Sequence, residues 1–102
     1  MANAFIISSE DKTIEPIEVS GAEDVQRMIG FDTIETDDVG DAGDRLFFDE
    51  ECFIRGAAGR FQIDKLIPVA GKGVVVGVAG DGKTLSDVSI SLDALRERTR
   101  FE

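Results

Sequence analysis

The sequence has no histidine, no tryptophan and no tyrosine, and only one cysteine and two prolines in 102 residues. Without an imidazole there is no Ser-His-Asp triad, no histidine acid–base relay and no histidine-containing zinc site. Cys52 has no second thiol to bridge to, which fits a reducing compartment. No apolar run approaches the length of a membrane span. The N-terminal "MANAFIISSEDK" lacks the basic start of a signal peptide, so the expected location is the cytoplasm. Positive charge is scarce as well. Eleven Lys and Arg face 21 Asp and Glu, a net charge of −10.

Hydrophobic residues make up 42% of the chain, enough for the core of one domain spanning residues 1–102. Charge is distributed unevenly along it. Residues 1–51 carry fifteen acids and three bases, a net −12, whereas residues 52–102 carry six acids and eight bases, a net +2. The densest stretch, residues 32–51, sets nine acids against Arg45 alone. Phosphate is repelled by such a surface, which argues against nucleic acid as a direct ligand and is compatible with a basic protein partner. The candidate partner-binding residues are Asp32, Glu35, Asp37, Asp38, Asp41, Asp44, Asp49, Glu50 and Glu51.

"AFIIS" and "TIEPIEV" predict two short strands joined by a turn at "SEDK", with Pro16 marking the second as an edge strand because it has no amide proton to donate. Ser20 and Glu23 have capping-box spacing ahead of a helix over Gly21–Ile29, whose apolar positions are Ala22, Val25, Met28 and Ile29. Gly30 is its expected stop. "FDTIET" and "RLFFDE" read as strands around a "DDVGDAGD" turn or loop, and "CFIRGAAGRFQI" as two apolar pieces around a glycine-rich loop. "VVVGVA" is β-branched and apolar on both faces, hence a central strand. "SLDALRER" predicts a C-terminal helix capped by Ser91, with Leu92 and Leu95 inward and Arg96, Arg98 and Arg100 near its end. The expected fold class is α+β: a small, mostly antiparallel β-sheet with one or two short helices packed on a face.

Residues Gly77–Thr84, "GVAGDGKT", match the letters of a nucleotide-binding P-loop. A working P-loop needs a helix beginning at its Lys-Thr, so that the helix N-terminus faces phosphate. "KTLSDVSIS" alternates β-branched and polar residues instead, and "GDG" is a turn signal in its own right. The match is read as a turn after a strand. Gly71 and Gly73 around Lys72 are similarly read as a tight turn into the central strand. An anion-binding nest there, with Lys72 and Lys83, is the alternative ligand site. No register of "DTIETDDVGDAGDRLFFDEE" satisfies the EF-hand pattern, and an irregular calcium site from Asp38, Asp41 and Asp44 ranks below a solvated loop. Cys52 follows three acids and reads as a small core residue. Neither a cofactor, a resident metal nor catalysis is expected.

The order of these segments, from "AFIISSEDKTIEPIEV" through "DRLFFDEE" and "IPVAGKGVVVG" to "SLDALRERTRF", resembles a family of small domains of unknown function. Bacteriophages, plasmids and integrated elements encode that family widely. Its most specific feature is a small-Gly-basic-Gly turn into a hydrophobic strand ending in glycine, matched by "IPVAGKGVVVG". "RGAAGRFQIDK" departs from the family pattern in being richer in glycine and alanine. The resemblance implies an accessory protein of a mobile genetic element and supplies no catalytic residues. In that setting the acidic segment is expected to contact a host protein with a basic nucleic-acid-binding surface. Its carboxylates would imitate phosphates, as in anti-CRISPR or anti-restriction inhibitors. Two alternatives are a nucleotide-signal-binding module using Gly71, Lys72, Gly73 and Lys83, and an oligomeric phage accessory protein.

Overall fold

A computed structural model describes residues 1–40, 42–80 and 84–102. The fold is α+β. Strands β1 (Ala2–Ser8), β2 (Thr13–Val19), β3 (Ile34–Val39), β4 (Asp44–Asp49), β6 (Lys72–Val78) and β7 (Leu85–Ser86) form one antiparallel sheet in the order β2-β1-β6-β4-β3, with β7 paired to the end of β6. Strands β5 (Phe61–Ile63) and β8 (Thr99–Phe101) form a separate two-stranded ribbon. Helix α1 (Ala22–Ile29) follows β2, a 3₁₀ turn (Cys52–Ile54) follows β4, and helix α2 (Leu92–Arg98) leads into β8. Among the described residues no helix is long and apolar enough to cross a membrane.

Period-two alternation assigns the two faces. Phe5, Ile7, Ile14, Val39, Leu46, Phe48 and Val75 point to one side, where they pack with Phe61 and Ile63 of β5 and Leu95 of α2. Ala2, Ala4, Val19, Val74 and Val76 point to the other, under Val25 and Ile29 of α1. Each face therefore receives its own helix. The sequence pattern shows that a helix has an apolar stripe but not which face of the sheet will receive it. Val74, Val75 and Val76 are all fully buried, as expected of a central strand covered on both sides, and offer no surface for a dimer contact.

Local chemistry explains most boundaries and corrects several expectations. Ser20 does not cap helix α1, whose N-cap is Gly21 without a side-chain hydrogen bond; the Ser20 amide and hydroxyl instead both donate to Asp24 Oδ2. The capping-box spacing is present, but the carboxylate one residue further on reaches both donors. Gly30 ends the helix in a left-handed conformation, its amide donating to the Gln26 carbonyl at 2.8 Å. Asp37, Asp38 and Val39, expected in a loop, are strand residues paired with Leu46, Arg45 and Asp44. Burial of Val39 fixes this extension and outweighs the low strand preference of two aspartates. Ser91 caps α2 as expected, accepting from the Ala94 amide at 3.1 Å. Arg100, two residues past the helix, lies in β8, because Thr99 turns the chain to pair with Ile63.

Candidate interaction edge

The nine acids singled out in the sequence separate into distinct environments. Asp44 and Asp49 are buried. Asp44 accepts from the backbone amides of Ser89 at 2.8 Å and Ile90 at 2.9 Å, tying the segment before α2 to the sheet. Asp49 accepts from the Thr33 hydroxyl, from the Glu51 amide at 3.1 Å and from Arg55 Nε at 3.0 Å. Both carboxylates are spent on holding the fold together from buried positions. Asp38 lies on the α1 face of β3 beside Arg45, at 3.3 Å, and Glu51 lies 3.5 Å from Arg55. Asp32 lines a separate depression with Phe31, Arg27 and Arg55. Asp41 lies outside the described residues.

Glu35, Asp37 and Glu50 remain, and the structure brings them together. Glu35 and Asp37 alternate along β3 on the face opposite α1, and Glu50 follows the end of β4. With Phe48, Cys52, Phe53, Ile67 and Pro68 they line a groove of about 260 Å³. Phe53 is 51% and Ile67 59% exposed, so the groove has an apolar wall and an acidic rim. No cation among the described residues pairs with Glu35, Asp37 or Glu50. A hydrogen bond shared with Glu35 raises the Glu50 carboxyl above its ordinary value, helped by burial and by the charges of Glu35, Glu51 and Asp49.

Sequence reasoning missed Phe53, Ile67 and Pro68. Their only signal is an apolar residue beside polar neighbours, which a core position shares. It takes the three-dimensional arrangement to show that Cys52 turns inward while Phe53 stays out.

The two glycines of the alternative ligand site are engaged by the fold's own contacts. The Gly71 amide donates to Ser9 Oγ at 2.7 Å, and Gly73 sits mid-sheet between Ile7 and Phe48, so their amides do not converge on an anion. Lys72 is the first residue of β6, and Lys83 lies outside the described residues. The described ends of the P-loop stretch are paired with each other: Ala79 donates to the Thr84 carbonyl at 2.8 Å, and Val78 pairs with Leu85, while residues 81–83 lie outside the described residues. A strand, not a helix, follows Thr84, so the helix that a P-loop begins at its Lys-Thr is not there. Gly77 is required by packing. A Cβ there would lie 2.5 Å from the Asp87 carbonyl oxygen. Asp38 and Asp44 point to opposite faces of the sheet, so they share no calcium site.

These carboxyls give a signed pH dependence. Burial alone would raise Asp49, but hydrogen bonds from Thr33, Arg55 and the Glu51 amide, with the Arg55 charge, outweigh it and hold the group below its ordinary 3.8. Arg98 lowers Asp64 likewise, and Ser20 lowers Asp24. A lowered carboxyl stabilises the native state above its ordinary value, and that contribution is lost as pH falls through its folded value. Glu50 has the opposite sign: its contribution is present below its ordinary 4.5 and is lost as pH rises through its raised folded value. Urea titrations are therefore expected to show greatest stability at mildly acidic pH, with a steep fall below about 3.8. Glu50→Gln should remove the gain on acidification and raise the melting temperature at neutral pH. A variant curve parallel to wild type would contradict the Glu35–Glu50 repulsion.

Comparison with known protein families, with curated proteins and with solved structures returns no match to this chain.

Proposed function

We propose that this chain is a non-enzymatic acidic protein that docks on the basic, nucleic-acid-binding surface of another protein. In the setting implied by the resemblance to mobile-element domains, that protein belongs to a host defence system, and docking blocks its access to nucleic acid in the cytoplasm. The observation that carries this reading is the Glu35–Glu50 pair beside exposed Phe53 and Ile67. Like charges held together without a counter-ion oppose folding, and Phe53 and Ile67 beside them leave half or more of their surface in water. Both are relieved by a partner that brings cations and an apolar surface. The dispersal of the other acids narrows the contact from a nine-residue phosphate mimic to a three-carboxylate rim around an apolar groove.

The test is affinity capture by the immobilised protein from lysate of a host cell, with DNA competition and a salt series. Recovery of a nucleic-acid-binding protein that DNA displaces and salt weakens is expected. A Glu35→Gln, Asp37→Asn, Glu50→Gln triple variant should lose at least tenfold in affinity for the recovered protein while remaining folded. Undiminished binding by that variant would end the proposal.

A further inference from the structure

The two edges of the main sheet differ. Backbone hydrogen bonds in an antiparallel ladder recur on every second residue, so one bond fixes the phase of a whole strand. The Glu50 amide donates to the Thr33 carbonyl at 2.7 Å, which assigns Glu35, Asp37 and Val39 to β4. The bond from Val78 to the Gly43 carbonyl, 2.9 Å, gives the same phase from the other side of β4. Ile34, Thr36 and Asp38 consequently turn their amides and carbonyls outward, where no strand among the described residues pairs with them.

On the opposite edge, the Ser9 amide donates to the Gly71 carbonyl at 2.9 Å. Even-numbered residues of β1 therefore face β2, and Ile14, Pro16 and Glu18 turn outward. Pro16 stands at an outward position and removes a donor from the middle of that edge. One edge is blunted by proline, a common protection against strand addition; the other keeps all its donors.

Resting on the docking function above, we infer that the β3 edge accepts an extended basic segment of the partner protein as an additional strand. Its outward backbone groups bond to Ile34, Thr36 and Asp38. Its side chains opposite Glu35 and Asp37 fall on the groove face, since cross-strand neighbours share a face. Lys or Arg at those positions lays its aliphatic stem along Phe53 and Ile67 and brings its charge to Glu35, Asp37 and Glu50. The alternate side chains lie beside Ile34, Thr36 and the Asp38–Arg45 pair, where β-branched residues fit. A second copy of this chain is a poor occupant. Antiparallel pairing of two β3 edges about Thr36 would set Glu35 of each copy opposite Asp37 of the other, and directly opposed like charges are destabilising.

A fluorescent nine-residue peptide alternating arginine with valine is the probe, compared with the same peptide N-methylated at alternate amides. Strand addition predicts saturable binding, at least tenfold weaker when the methylated amides are those facing β3. It also predicts new hydrogen-exchange protection at the Ile34, Thr36 and Asp38 amides. Thr36→Pro removes an outward donor and no ladder bond, so it should keep the fold and lose the peptide at least tenfold. The methylated peptide tests the same bonds if that variant fails to fold.

Equal, salt-sensitive binding of both peptides that Glu35→Gln with Glu50→Gln abolishes would overturn strand addition while leaving the acidic docking function standing. No binding of either peptide would overturn strand addition too, and the capture experiment would then decide the docking function alone.

Discussion

Phe61→Ala is expected to lower stability by about 4 kcal/mol, the usual scale for emptying a fully buried aromatic site. For a chain of this size that is a fall in melting temperature of roughly 20 °C. Phe61 is the largest fully buried side chain and joins the β5–β8 ribbon to the main sheet. Its backbone exchanges two hydrogen bonds of 2.8 Å with Val69, which hold the ring in place. The ring lies over the central strand at Gly73. A Cβ added there would approach Phe61 Cζ to 2.7 Å and Leu46 Cδ1 to 3.0 Å.

Gly73→Ala should therefore destabilise by about 1–3 kcal/mol in the wild-type background, through overpacking. In a Phe61→Ala background the same substitution should cost much less, because the obstructing ring has gone. Additive losses in the double variant, measured by urea unfolding, would show that the two positions do not share this contact. The glycine in "AGKGVVVG" is thus explained by what packs on it.

Asp44→Ala is expected to cost about 3 kcal/mol, since it removes two part-buried hydrogen bonds, from the Ser89 and Ile90 amides to a charged acceptor, a kind worth about 1.5–3 kcal/mol each. Asp44 is 2% exposed, and 45 residues separate it from Ser89. The carboxylate fixes where the chain crosses back before Ser91 starts α2. Asp44→Asn keeps one acceptor oxygen and should lose less. Hydrogen exchange should show the Ser89 and Ile90 amides deprotected before the rest of the sheet. A loss under about 0.5 kcal/mol for Asp44→Ala would mean that water replaces the carboxylate there.

These two residues show where sequence reading stops. As a letter, Asp44 is one acid among nine in an acidic stretch, indistinguishable from Glu35. One is buried under the 89–90 segment and the other rims an open groove. Strand alternation predicts that neighbours point to opposite faces. It does not predict that a distant segment will bring amides to one of them. Cys52 and Phe53 divide in the same way: both belong to one apolar piece of the sequence, and the 3₁₀ turn buries the first and exposes the second.

What the sequence alone determined is local: the β1–β2 hairpin with proline on its outer strand, the Gly30 and Ser91 helix boundaries, the central valine strand, and the absence of imidazole chemistry. Each follows from the chemistry of a few adjacent residues, such as a missing amide proton, a hydroxyl acceptor or a β-branched run. Tertiary structure decided which acids became scaffold, which helix covered which face, and which sheet edge stayed open. Those outcomes depend on contacts between segments tens of residues apart, and on a hydrogen-bond phase that only the assembled ladder possesses.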